Sequence, residues 1–327
     1  MRSAEKLALG ELALTGERTV RSQGHLARAW SRLLRKKLAM ACVAVLVLLY
    51  TGAIFVEWIS PYGYDDQDYT VIRKGPSLQH WFGTDFAGRD HLTRVIWGIQ
   101  NSMIITGVAM ATGGLVIGVT LGLISGYFGG RADAVIQRTG EVFASFPDIF
   151  LVIILAATLK PRVLGWVRTI EDNTFLDGLV RSGVADYLVI SLALVAFGWF
   201  GMARLVRGQV LTLKETQYVE AAQAIGSSTP RILFVHVLPN AISPIVVMVT
   251  MGMGVFIGTE IILGFLGLGV QPPRPSLGVM LREFGSIPAL RSNPWLLLGP
   301  GLVATLLVLS WNLLGDALND VLNPRTR

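Results

Sequence analysis

A chain of 327 residues with 52% hydrophobic and 15% charged side chains falls well short of the charge content, about a quarter of residues, found in soluble domains. The composition excludes an ordinary water-soluble enzyme and points to lipid as the surrounding solvent. A net charge of +6 does not indicate nucleic acid, because Lys and Arg cluster beside apolar runs instead of alternating with aromatics. Cys42 is the single cysteine and reads as packing, and His25, His80, His91 and His236 lack ligand spacing, so neither a disulfide framework nor a metal site is expected.

Residues 1–37 form a basic cytoplasmic tail. Within it Leu26, Trp30, Leu33 and Leu34 share a helical face opposite Arg28, Arg32, Arg35, Lys36 and Lys37, which suits either an interfacial helix on an anionic leaflet or a plain positive flank. Leu38–Val56 carries no charge and, at about 1.5 Å per residue, reaches across about 30 Å of hydrocarbon. It starts too late for a cleaved leader and is expected to remain as an anchor, so residues 38–98 comprise a first span and an extracytoplasmic loop.

Val95–Gly130 is again uncharged, and Gly114, Gly118, Gly122, Gly126 and Gly130 recur at every fourth position. Such a ridge suits close helix packing, with a substrate role as the alternative. Ala134–Leu159 is the predicted third span, with Arg138 and Glu141 placed to pair and a kink at Pro147. Asp148 beside it suits the translocation path or a helix-kink partner. Tyr187–Leu205 is the fourth span, Ile232–Leu266 contains the fifth, and Pro294–Leu314 contains the sixth. Glu260 lies toward the outer end of the fifth, where a structural or gate-lining role is favoured over proton coupling. The fold class is an all-α integral membrane protein of six helices, and the excess of Lys and Arg on the side of the termini places both in the cytoplasm.

One cytoplasmic connection, Arg204 to Leu238, is more than a turn. Tyr218, Ala221, Ala222 and Ile225 are read as one helical face, with Val219 between them and Glu220 and Gln223 turned elsewhere. Gly226 is a natural C-terminal stop, and Ser227, Ser228 and Thr229 precede Pro230 as caps for a new helix. A small-residue helix of this kind suits a groove on a soluble partner; the alternative is a helix lying on lipid.

Glu220-Ala221-Ala222, then Gly226, then His236-Val237-Leu238-Pro239 resembles the EAA signature of ABC importer permeases, and histidine at 236 is common in the peptide branch. Trp81-Phe82-Gly83-Thr84-Asp85 with Gly88-Arg89-Asp90, Gly264-Phe265-Leu266-Gly267-Leu268-Gly269-Val270-Gln271-Pro272-Pro273, Gly315-Asp316-Ala317-Leu318-Asn319-Asp320 and Asn323-Pro324-Arg325 extend the resemblance to the C-type permease family of oligopeptide and dipeptide importers.

The resemblance implies a type I ABC importer permease fold in the inner membrane, with a core at 99–316, a coupling helix at 217–226 and a cytoplasmic tail at 317–327. It also implies a homologous B-type permease as heterodimer partner, two cytosolic ATP-binding subunits and an extracytoplasmic solute-binding protein. In that frame Tyr218, Val219, Glu220, Ala221, Ala222, Ile225 and Gly226 would dock an ATP-binding subunit, with Glu220 holding the docking loop through hydrogen bonds, Ala221 and Ala222 letting it seat and Gly226 setting its exit angle. Nickel or oligosaccharide is the alternative cargo, and the loop from Lys160 to Asp186 is long for the family. No GxxxxGK[ST] phosphate loop is present, so ATP hydrolysis is assigned to another subunit, and no cofactor and no catalytic residue is expected. A secondary transporter would call for inverted repeats, which the two halves do not show, and a membrane enzyme for a catalytic constellation, which does not stand out.

Overall fold

The computed structural model describes residues 31–174, 178–180 and 182–322. Leu26, Arg28 and Trp30 of the N-terminal pattern, and Asn323-Pro324-Arg325, lie outside the described residues.

Long uncharged runs become helices because lipid leaves a backbone no other way to satisfy its hydrogen bonds. Six helices are long and apolar enough to cross a membrane. They are α1 (Lys37–Ile54), α2 (His91–Phe128), then, after the polar helix α3 (Gly130–Ala144), α4 (Asp148–Asn173) and α5 (Val184–Leu213). The short α6 (Gln217–Ala224) precedes α7 (Thr229–Phe265), and α8 (Leu277–Phe284) and α9 (Ile287–Ser292) precede α10 (Trp295–Leu322). No strand occurs among the described residues, apart from one isolated bridge between Thr84 and Asp90.

Two of these helices contain π segments, Met110–Gly118 in α2 and Ile232–Val237 in α7. The bundle packs α7 on α10, α2 on α5, α4 on α5 and α1 on α10. The α2–α5 contact is close: a Cβ placed at Gly118 would lie 2.7 Å from the Cβ of Met202, at Gly122 2.7 Å from the Ala203 carbonyl oxygen, and at Gly126 2.6 Å from the Cβ of Val210. Gly114 meets the Met110 sulfur of its own helix, and Gly130 meets nothing within 4 Å, so the interhelical contact is shorter than the glycine repeat.

The third span differs from expectation. Pro147 does not kink one continuous helix; α3 ends at Ala144, Pro147 takes an extended conformation, and α4 starts afresh at Asp148. Proline lacks the N–H an ongoing helix needs and disfavours the helical region for Phe146 before it. The span is therefore Asp148–Asn173, and α3, which carries Arg131, Asp133, Arg138 and Glu141, is exposed along most of its length. The ion pair on α3 is also not the expected Arg138–Glu141 pair but Asp133 with Arg207 of α5. Continuing α4 to Asn173 turns much of the long 160–186 connection into helix, anchored at its base by Lys160 to Asp186 at 2.9 Å.

Candidate functional site

At the end of the bundle where α2, α5 and α7 converge, α6 stands as a short surface helix. Val219 is fully buried and Ala222 nearly so, inserted among Leu123 of α2, Val206 and Val210 of α5, and Ile232, Leu233 and Val237 of α7. Tyr218 is 42% and Ile225 84% exposed, and Glu220 and Ala221 also face outward. The expected single face is thus split: Ala222 belongs with Val219 on the inward side, while Tyr218, Ala221 and Ile225 form the outward one. Helical spacing alone groups 218, 221, 222 and 225, and the dividing line depends on what α5 and α7 bury.

Gly226 ends α6 with φ +81°, a left-handed conformation that favours glycine. Its N–H donates to the Gln223 carbonyl at 2.9 Å and that of Ser227 to the Ala222 carbonyl at 3.0 Å, the paired bonds of a Schellman motif. The chain then re-enters with Ser228 at the N-cap of α7 and Pro230 in its first turn; contrary to expectation no side-chain cap bond forms there, and Pro230, which has no N–H to satisfy, starts the helix instead. The Glu220 side chain is exposed, and within the chain it is the Schellman bonds that hold the turn.

Beneath α6 the end of the bundle is tied by charge. The Arg207 guanidinium donates to both carboxylate oxygens of Asp133 at 2.6 Å, Ser125 donates to the same carboxylate, and Lys214 Nζ reaches the Gly126 carbonyl at 3.4 Å. The Arg207 hydrogen bonds hold the Asp133 carboxyl below the usual carboxylate range. A group lowered in this way contributes stability that is complete above its ordinary pKa, near 3.9, and lost as pH falls through the lowered value. Asp133→Asn is therefore expected to lower stability by about 1 kcal/mol at neutral pH, with the difference from the parent shrinking in acid; thermal unfolding in detergent across pH checks it.

A half-open cleft of about 320 Å³ lies nearby, with Asp148, Phe143, Phe146, Phe197 and Gly201 among its walls. Asp148 is exposed there, and its carboxylate accepts from the backbone N–H of Ile149.

Glu260 sits at the opposite end of α7 and is fully enclosed. Ser102 of α2 donates to its Oε2 at 2.6 Å, and Ser276, just before α8, lies 3.5 Å from Oε1. Next to it Asn101 donates to the Pro275 carbonyl and accepts from Tyr187 of α5. Glu260 thus joins α2, α7 and the 266–276 connection within one chain. Ser102 is 158 residues from Glu260, and no local pattern in the sequence could have paired them. Glu260→Gln, which keeps an acceptor oxygen, is expected to preserve the folded protein, whereas Glu260→Ala should cost about 1–3 kcal/mol by stranding the Ser102 hydroxyl; the yield of monodisperse protein and its melting temperature distinguish them.

The segment before α2 explains another sequence block. Asp85 accepts from the backbone of Ala87 and Arg89 and from the Arg89 side chain, with the enclosed Arg94 3.5 Å away. Asp90 caps α2 through Thr93 and accepts from His80, and His91 reaches the Leu296 carbonyl of α10 at 2.9 Å. These residues form a packed polar lid over one end of the bundle.

Six helices long and apolar enough to span a membrane, with a short helix seated on one end, define a multi-pass membrane protein. Residues 118–327 match the family described as binding-protein-dependent transport system inner membrane component, and residues 25–76 match the N-terminal TM domain of oligopeptide transport permease C. The chain belongs to the first of these families: it is a multi-pass inner-membrane permease subunit of an ABC importer, with the all-helical fold of such permeases, and is not itself an enzyme. Similar proteins include the dipeptide transport system permease protein DppC of Alkalihalophilus pseudofirmus, 36% identical over 91% of this chain and 90% of the relative. The glutathione transport system permease protein GsiD of Pectobacterium atrosepticum is 36% identical over 98% of both chains, and the oligopeptide transport system permease protein OppC of Bacillus subtilis is 38% identical over 91% and 89%.

Proposed function

We propose that this chain is the C-type permease of an importer of di- and oligopeptides, driven through α6 by ATP hydrolysis in separate subunits. Its partners in this reading are a homologous B-type permease, two cytosolic ATP-binding subunits and an extracytoplasmic solute-binding protein. Both termini, and α6 with them, lie in the cytoplasm. The relatives' names, dipeptide, oligopeptide and glutathione, support peptide cargo over nickel or oligosaccharide.

The observation that carries the coupling role is the division of α6. Val219 and Ala222 root it in α2, α5 and α7, while Tyr218, Ala221 and Ile225 present an apolar, small-centred surface outward. A helix fixed on one side and open on the other transmits displacement: a partner that seats the outward face and moves carries the rooted face with it. The glycine-tight α2–α5 pair makes that root stiff. ATPase closure then draws the two permeases' coupling helices together, and alternating access follows at the far end, where Glu260 ties the gate elements, with the Asp148 cleft on the translocation path.

The test is a cross-link. Cys42, the chain's single cysteine, is buried, so a cysteine introduced as Ala221→Cys is the readily reachable thiol. In the assembled importer it is expected to cross-link to an ATP-hydrolysing subunit, with a yield that changes with nucleotide. Absence of any such product in native membranes would overturn the coupling role.

A further inference from the structure

Arg274 lies in the connection between α7 and α8, at the end of the bundle opposite α6. Its guanidinium carbon is 5.8 Å from the ring centroid of Tyr64 and 5.9 Å from those of Trp97 and Tyr187. The three rings come from three places: the segment before α2, α2 itself and the first turn of α5. Each is held by contacts besides Arg274. The Arg94 guanidinium donates to the Tyr64 carbonyl, Tyr64 packs edge-on against Trp97 at 5.1 Å, and the Tyr187 hydroxyl donates to Asn101. Arg274 and its rings are all partly accessible, so the guanidinium sits in a half-open recess.

A recess of aromatic faces favours a cation, and burial beside low-dielectric walls strengthens whatever that cation binds. What Arg274 lacks is an anion. Among the described residues it makes no ion pair; its Nη1 donates to the Tyr187 oxygen at 3.1 Å, and its enclosed Nε meets no acceptor. The neighbouring carboxylate of Asp186 is already engaged by Lys160 and by the Gln271 backbone N–H, both at 2.9 Å. Other guanidinium donors, in the fixed fork that matches a carboxylate, are left uncommitted.

We infer that Arg274, held by Tyr64, Trp97 and Tyr187, is a carboxylate-binding subsite for the cargo peptide at the outer entrance of the permease. This rests on the peptide-importer reading and places one specificity contact within it. The cargo's carboxylate is favoured over an acidic side chain of the binding protein because the guanidinium is recessed among rings, where a small ligand reaches more readily than a protein surface.

The complete importer, reconstituted in proteoliposomes with its binding protein loaded to saturation, is supplied with trialanine or trialanine amide. Saturation removes the binding protein's own preference, so the ratio of the two uptake rates reports on the permease. Arg274→Gln is expected to reduce trialanine uptake about tenfold and amide uptake far less, collapsing the ratio, and Arg274→Lys to recover part of it. Equal losses for both peptides would assign Arg274 a structural role and overturn the subsite. Equal losses accompanied by weaker association of the binding protein would place the carboxylate on that protein, which also overturns it. If the parent importer takes up neither peptide with ATP present, the peptide reading fails and the subsite with it.

Discussion

Gly226→Asp is expected to stop ATP-driven uptake and to release the ATPase subunits while the permease still inserts, whereas Gly226→Asn should retain most of both. The backbone argument alone does not separate these variants. Gly226 sits at φ +81°, and Asn and Asp are the residues that tolerate the left-handed region best, at a cost of about 1–2 kcal/mol at most. Space does not separate them either, since a Cβ at Gly226 meets nothing within 4 Å. What differs is charge. Gly226 is exposed beside Ile225 on the outward side of α6, and a carboxylate buried without a partner at an interface costs about 2–5 kcal/mol, about thirtyfold or more in affinity. Co-purification of the ATPase and uptake in proteoliposomes measure the two consequences. If Gly226→Asp transports as the parent does, α6 is not a docking element.

The contrast shows what kind of information the sequence carried about this helix. Its C-terminal stop and the restart of the next helix were legible, because Gly226 and Pro230 are local devices whose geometry is set within a few residues. Its faces were not, because Ala221 and Ala222 are chemically identical and are told apart by Val206 and Ile232, which arrive from other helices. The same rule accounts for the spans. Apolar length located all six, but the third was placed too early because Ala134–Leu159 was read across Pro147, and the Asp133–Arg207 pair near the end of α5 is one that no hydropathy pattern contains. Glu260 was legible as an unusual carboxylate, and Ser102 and Ser276 as its partners were not. Arg274 gave no signal at all: its recess exists where three segments meet, and a lone arginine in a loop is unremarkable until the rings are in view.

The largest loss of folded protein is expected from Gly122→Leu. A Cβ at this position would lie 2.7 Å from the Ala203 carbonyl oxygen and equally near the Cβ of Val206, and neither atom can rotate away. The remaining course is for α2 and α5 to separate, which loosens Gly118 against Met202 and Gly126 against Val210 together. Overpacking of this kind costs about 1–3 kcal/mol for a modest insertion, and a leucine exceeds that range, while the gain in helix propensity over glycine is at most about 1 kcal/mol. Gly114→Ala supplies the contrast, since its nearest neighbour is the flexible Met110 side chain of the same helix, and it should leave the melting temperature close to the parent's. Gly118→Ala and Gly122→Ala should each lower it, and the double variant by less than the sum, because helices already parted by one methyl group have made room for the second. Full additivity would mean that the two glycines act at separate contacts, and an unchanged melt for Gly122→Leu would mean that α2 and α5 do not approach this closely. Thermal unfolding of the purified importer, read beside uptake, also tests the stiffness that coupling requires: variants that loosen the α2–α5 pair should lose transport at temperatures where the protein remains folded, because displacement of α6 is then absorbed at its root.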